Sequence, residues 1–253
     1  MELAHFSIEL LAFLFFIAIV AGFLDTLAGG GGLLTVPALM MSGIPPVAAL
    51  ATNKLQASTG TATASYMMLK NKKVSWDEIK PLMLFAFIGA AVGTTMIQFV
   101  DTRVLSFVIP LVMLFIGIYF LMAPALDKQS KQAKVSAKNY QRLVVPSIGC
   151  YDGFFGPGTG SFFALAGVSL NGRGFIDATA IAKTLNFSTN MASLLVFLVA
   201  GQVIWALGFI MILGQVIGAR LGSHCLFTIK VKYLRYLVVT MCFAMLVKYG
   251  FTF

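Results

Sequence analysis

The chain has 253 residues, of which 59% are hydrophobic and 11% charged, with a mean hydropathy of +0.91. A soluble domain carries about 25% charged residues, so this chain cannot cover itself with a solvated surface. The net charge of +9 points to membrane topology rather than nucleic acid, because the basic residues sit mostly in loops between apolar runs and form no clustered basic face. Those runs are continuous over about 20 residues instead of alternating, which predicts an all-α, polytopic helical membrane protein and excludes a β-barrel.

In chain order, the first half is expected to span at 6–26, 47–69, 79–100 and 103–123, and the second at 142–156, 177–200, 202–222 and 231–250. The first run has no basic flank and no small-residue cleavage site before Asp25, and is read as a retained helix. Between the first two spans of each half lie the apolar segments 33–42 and 160–170. At 1.5 Å per residue such segments rise roughly 15 Å, half a hydrocarbon core, so they read as re-entrant half-helices. The one solvated stretch, 124–141, contains Asp127, Lys128, Lys131, Lys134 and Lys138 and reads as a linker between a first repeat, 1–125, and a second, 126–253.

Repetition is legible in the residues themselves. Asp25 and Asp152 are 127 positions apart, as are Gly29 and Gly156, while Lys54 and Lys183 are 129 apart. Gly89 and Gly93 match Gly214 and Gly218 at a shift of 125. The loops rich in Lys70, Lys72, Lys73 and Lys80, in Lys128 to Arg142, and in Arg220, Lys230, Lys232 and Arg235 are expected in the cytoplasm. Span 47–69 then runs inward and its copy 177–200 outward. The predicted architecture is therefore two inverted repeats, each a half-helix hairpin plus three spanning helices, with both termini periplasmic.

Inverted repeats with broken helices are the mark of secondary transporters, whose site lies between the repeats near the midplane. Both breaks are glycine-rich: Gly29, Gly30, Gly31 and Gly32 in the first, and Gly156, Gly158, Thr159, Gly160 and Ser161 in the second. Each precedes a half-helix whose unpaired N–H groups and dipole favour an anion. Close helix packing is the competing use of membrane glycines. Lys54 and Lys183 lie well inside predicted spans, where a charge is costly. Each heads a polar stripe rather than a snorkelling side chain: Ser58, Thr61 and Ser65 follow Lys54, and Asn186, Asn190 and Ser193 follow Lys183. Asn53 and Gln56 widen the first stripe. The candidate substrate-binding set is these glycines with Thr159, Ser161, Asn53, Lys54, Gln56, Lys183 and Asn186. Asp25 and Asp152 are candidates for capping, for pairing with the lysines, or for carrying a coupled proton.

Cys150, Cys225 and Cys242 have no ligand spacing, and His5 and His224 lie apart. No metal site, cofactor or nucleophile–base pair is expected, and enzyme chemistry has no foothold. The expected partners are a small anion and the lipid bilayer, with monomer and homodimer both open. An anion channel and a non-transporting membrane partner protein remain as other readings.

Residues 22–32 (GFLDTLAGGGG), Ala51-Thr-Asn53-Lys54-Leu-Gln56, Tyr151-Asp152-Gly-Phe-Phe-Gly156-Pro-Gly158, Ala182-Lys183 through Asn186, and Gly218-Ala-Arg220 together resemble the sulfite exporter TauE/SafE family, also grouped as toluene-sulfonate uptake permeases, in its YfcA-like branch. The resemblance covers essentially the whole chain. It implies transport of sulfur-containing anions such as sulfite or organosulfonates across a bacterial inner membrane, with an exporter as the expected direction. The second copy has Gly-Pro-Gly-Thr-Gly and Ile-Ala-Lys where the first has four glycines and Thr-Asn-Lys, so the two half-sites need not bind alike.

Overall fold

The structure, a computed structural model, describes residues 6–28, 30–122 and 132–225, together with Phe243 and Val247. The final expected span, the first part of the linker, the basic residues Lys128, Lys131, Lys230, Lys232 and Arg235, and Gly29 lie outside the described residues. Among the described residues, regular structure is wholly helical, and the protein is a polytopic helical membrane protein.

Helix α1 (Ile8–Ala28) is capped by the Ser7 hydroxyl, which accepts from the Leu10 N–H at 3.2 Å. After the glycine break, α2 (Gly32–Met41) is a ten-residue half-helix with Leu33 to Met40 all buried. Gly43, at φ +86°, turns the chain into Pro45 and Pro46, and α3 (Pro46–Lys70) opens with proline at its first position. Helix α4 (Trp76–Ile97) carries Asp77 and Glu78 in its first turn, where the dipole favours acids, and α5 (Thr102–Met122) follows a short turn.

The second half repeats this order. A short helix α6 (Ala137–Asn139), capped by Ser136, leads through a π-helical turn (Tyr140–Val144) into α7 (Val145–Phe154). Pro146 cannot donate to the carbonyl four residues back, and the wider turn before it absorbs that missing bond. Then come the half-helix α8 (Thr159–Ser169), the long α9 (Phe175–Val199) and α10 (Trp205–Cys225).

Four of these helices are long and apolar enough to cross a membrane: 8–26, 76–97, 102–119 and 205–222. Helices α3 and α9 have 25 residues each but are more polar. They pack on one another at the centre, which buries Lys54, Ser58, Thr61 and Ser65 on α3 and Asn186, Asn190 and Ser193 on α9. Lipid therefore meets the apolar helices around this pair.

Glycines set the helix crossings. A Cβ at Gly89 would lie 2.1 Å from the Pro146 carbonyl oxygen, and one at Gly93 2.0 Å from that of Cys150. The matching glycines do the same elsewhere: Gly214 would place a Cβ 2.5 Å from the Phe15 oxygen, and Gly218 1.9 Å from the Ile19 oxygen. So α4 packs backbone to backbone on α7, and α10 on α1, by the same device. Each pairing joins the first half to the second.

The turns gather at two ends. Lys134 and Val135 N–H donate to the Leu170 carbonyl, Arg173 pairs with Glu78 at 2.5 Å, and Val74, Ile79 and Tyr140 share one apolar cluster. The α3–α4 loop, the approach to α6 and the α8–α9 turn therefore lie together. At the other end, the Ile204 N–H from the α9–α10 turn donates to Thr52 near the start of α3 at 3.1 Å.

Candidate functional site

Both glycine breaks face the middle of the α3–α9 pair. Asp25, near the end of α1, accepts the Gly31 N–H through Oδ1 at 3.3 Å. A Cβ at Gly31 would lie 2.8 Å from the Ala21 carbonyl oxygen, so the chain folds back on α1 only with glycine there. In the second break, Gly156 and Gly158 have φ of +89° and +84°, a region costly for residues with a Cβ. The Tyr151 hydroxyl donates to the Pro157 carbonyl at 2.5 Å and pins this loop.

At the centre, Lys54 Nζ donates to Asp152 Oδ2 at 2.7 Å, and both side chains are about 1–2% exposed. Thr159, the first residue of α8, donates to Asp152 Oδ1 at 2.6 Å. Asp152 thus ties Lys54 on α3 to the first side chain of α8. Lys183 also reaches across the halves, but to a different atom: its Nζ donates to the Asp25 main-chain carbonyl at 2.8 Å. Each lysine meets the aspartate position of the opposite half. One contact is a carboxylate ion pair; the other leaves the Asp25 carboxylate, among the described residues, with the Gly31 N–H.

These groups line a pocket of about 30 Å³, an order of magnitude below the roughly 300–1,000 Å³ of drug-sized sites. Of the residues expected from the sequence, Asp25, Gly30, Gly31, Gly32, Asn53, Lys54, Asp152, Gly156, Gly158, Thr159, Gly160 and Asn186 line it. Gln56 stands behind Asn53, donating to its Oδ1 at 3.0 Å, and Lys183 stands behind Asp25. Ser161 follows one residue beyond the lining. The lining also includes Ala57, Thr61, Pro157 and Asn190. Sequence reasoning passed over Thr35, which is fully buried and donates to Asn53 Oδ1 at 2.5 Å. Its signal was a lone hydroxyl in an otherwise apolar half-helix, and the position 127 residues on is Phe162, so repetition did not flag it.

Chemically, the lining offers main-chain N–H groups at two half-helix starts, one ammonium and several amide and hydroxyl groups. It holds two carboxylates against one lysine. An anion enters such a site only as Asp152 releases Lys54 or as a proton neutralises an acid. Among the described residues, no group of three or more His, Cys, Asp or Glu is placed to hold a metal ion.

Comparison with known proteins agrees with this architecture. The family model "Sulfite exporter TauE/SafE" matches residues 14–249. A Haemophilus influenzae protein named "Probable membrane transporter protein" is 44% identical over 96% of this chain and 95% of its own length. The Escherichia coli "Probable membrane transporter protein YfcA" is 44% identical over 91% of this chain and 86% of its own. A Sinorhizobium protein, "Probable membrane transporter protein ORF9", is 39% identical over 96% of this chain and 93% of its own. No solved structure matches the chain. A match over nearly the whole length, on a helical scaffold with paired glycine breaks, places the chain in one group: it belongs to the TauE/SafE sulfite exporter family of membrane transporters.

Proposed function

We propose that the pocket binds a small sulfur-containing oxyanion, sulfite or an organosulfonate, and that the protein exports it across the bacterial inner membrane by alternating access. The observation that carries this reading is the convergence of two half-helix starts on one buried lysine, Lys54. Free N–H groups, the helix dipoles and a cation in a water-poor site all favour negative charge. Saturable, counterflow-competent flux separates this carrier from a channel that uses the same residues as a filter.

The two repeats, 1–125 and 126–253, are inverted in this reading. In support, the turn between α2 and α3 lies at the end near the α9–α10 turn, whereas the α8–α9 turn lies at the opposite end with the lysine-rich α3–α4 loop. That basic end is cytoplasmic by the positive-inside rule, and both termini are then periplasmic. Lys54 and Lys183 serve as counter-charges, with Asn53, Asn186 and the break glycines as donors. Asp25 and Asp152 are the proton-coupling groups.

The test is the melting midpoint of the detergent-purified protein against sulfite, sulfate, thiosulfate, taurine, sulfoacetate, acetate and chloride. A ligand bound only by the folded state raises the midpoint as its concentration rises. A selective rise with one sulfur oxyanion is expected; no rise with any of them contradicts the reading. A second prediction concerns coupling. Asp25→Asn removes a proton acceptor from the lining without disturbing the Lys54–Asp152 pair. In proteoliposomes it is expected to abolish uptake driven by an imposed pH gradient while exchange at equal pH persists. Unchanged gradient-driven uptake would remove Asp25 from that role.

A further inference from the structure

The helices do not pack by halves of the chain. Among the described residues, α4 packs chiefly on α7 and α9, both from the second half, and α10 packs on α1 and α3 from the first. The buried apolar clusters divide in the same way. One is built mainly from α1, α2, α3, α5 and α10, with Leu14, Leu34, Leu50, Ile109 and Leu207 among its members. The other draws on α4, α7, α8 and α9, with Ile79, Val145, Phe163 and Leu185. Glycine crossings weld each group. A helix that meets its neighbour's carbonyls at Gly89 and Gly93, or at Gly214 and Gly218, cannot slide without climbing over them. Polar ties between the halves also stay inside one group. Glu78 with Arg173, and Ser188 donating to the Met83 carbonyl at 2.7 Å, hold α4 to the second group. The Ile204 N–H on Thr52 holds the start of α10 to the first.

The seam between the groups is the polar contact of α3 with α9, where the pocket lies. Lys54 to Asp152 and Lys183 to the Asp25 carbonyl both cross it. Such a seam can exchange its hydrogen bonds for water or ligand as it parts, whereas a parted apolar cluster loses its burial. Each end of the seam is closed by apolar side chains that reach into the opposite group. Leu194 and Phe197, in the last turns of α9, belong to the first cluster, and Met68 and Leu69, in the last turn of α3, pack on the second. Met68 and Phe197 are 129 positions apart, the spacing of Lys54 and Lys183. We infer that transport moves two helix-swapped bodies, α1–α2–α3–α5–α10 and α4–α7–α8–α9, against each other along this seam, with Met68 and Phe197 closing its opposite ends by turns. The inference rests on the alternating-access reading and deepens it by naming the moving parts. Since each body borrows α4 or α10 from the other half, the two sequence repeats are not those parts.

The test is reversible cross-linking of the full chain in proteoliposomes, with sulfite counterflow as the readout. Glu78→Cys/Arg173→Cys joins the first half to the second inside one body, and Met83→Cys/Ser188→Cys is an independent pair of the same kind. Tyr119→Cys/Phe162→Cys spans the two bodies from α5 to α8, where the rings lie 6.2 Å apart. Each pair is bridged with a short, reducible bis-thiosulfonate, its extent read from the loss of free thiol. The corresponding single variants, treated alike, control for the native cysteines. Counterflow is expected to persist with residues 78 and 173, or 83 and 188, bridged. It is expected to be lost with 119 and 162 bridged and to return on reduction. If the reduced variants transport but a bridge at 78–173 or 83–188 stops them, the repeats move as units and only this inference falls. It falls likewise if the 119–162 bridge leaves counterflow intact. If the wild type shows no counterflow, the alternating-access reading falls and this inference with it.

Discussion

Lys54→Met is expected to cost the protein about 3–5 kcal/mol of stability and to abolish anion-dependent stabilisation. The loss follows from what remains behind. Asp152 is 1% exposed and, among the described residues, would keep as side-chain donor only the Thr159 hydroxyl, whose one hydrogen it shares with the Gly156 carbonyl, for a charge buried at membrane depth. The double variant Lys54→Met/Asp152→Leu removes both charges and should recover most of the stability, because the mutual attraction of a buried pair is largely offset by its desolvation. It should recover no anion binding. Unfolding of the purified single and double variants, followed by helix content, measures the first part; ligand titration of the melting midpoint measures the second. A single variant as stable as the wild type would mean that the Lys54–Asp152 pair contributes nothing to the fold.

The glycine crossings give the next largest effect. In Gly218→Ala the new Cβ would lie 1.9 Å from the Ile19 carbonyl oxygen, and in Gly93→Ala 2.0 Å from that of Cys150. Neither contact is with a flexible side-chain end, so whole helices must separate, at a cost of about 1–3 kcal/mol or more for each site. The contrast is Gly30→Ala, where the nearest atom is Leu33 Cδ1 at an ordinary 3.5 Å. That variant should fold like the wild type yet bind anion less well, because Gly30 lines the pocket. Melting midpoints with and without ligand separate the two classes. Equal behaviour of Gly30→Ala and Gly218→Ala would undo the division between packing glycines and site glycines.

Much of this molecule was legible in the residues. Ten-residue apolar segments flanked by glycine breaks announce half-helices by length alone, and α2 and α8 fall within a residue or two of the expected 33–42 and 160–170. The register of 127 positions predicted that Asp25 and Asp152, and the two glycine runs, would play matching parts; the structure brings both breaks to one pocket. What the register could not supply was which atoms meet. That Lys54 takes the Asp152 carboxylate while Lys183 takes the Asp25 carbonyl depends on which atom of each aspartate faces the lysine, and periodicity carries no such detail. Thr35 was passed over for the same reason: its value comes from contact with Asn53, 18 positions away, and not from any spacing on its own helix. The glycines at 89, 93, 214 and 218 were read as a repeat, but their use as backbone crossings between the halves needed the packed helices.

The most direct test of the central claim is counterflow of radiolabelled sulfite in proteoliposomes. The account predicts saturable uptake, accelerated by unlabelled sulfite on the opposite side, and absent in Lys54→Met and in the double variant. Uptake that does not saturate and is not accelerated in this way, or that persists undiminished without Lys54, would contradict a carrier with its anion site between the glycine breaks.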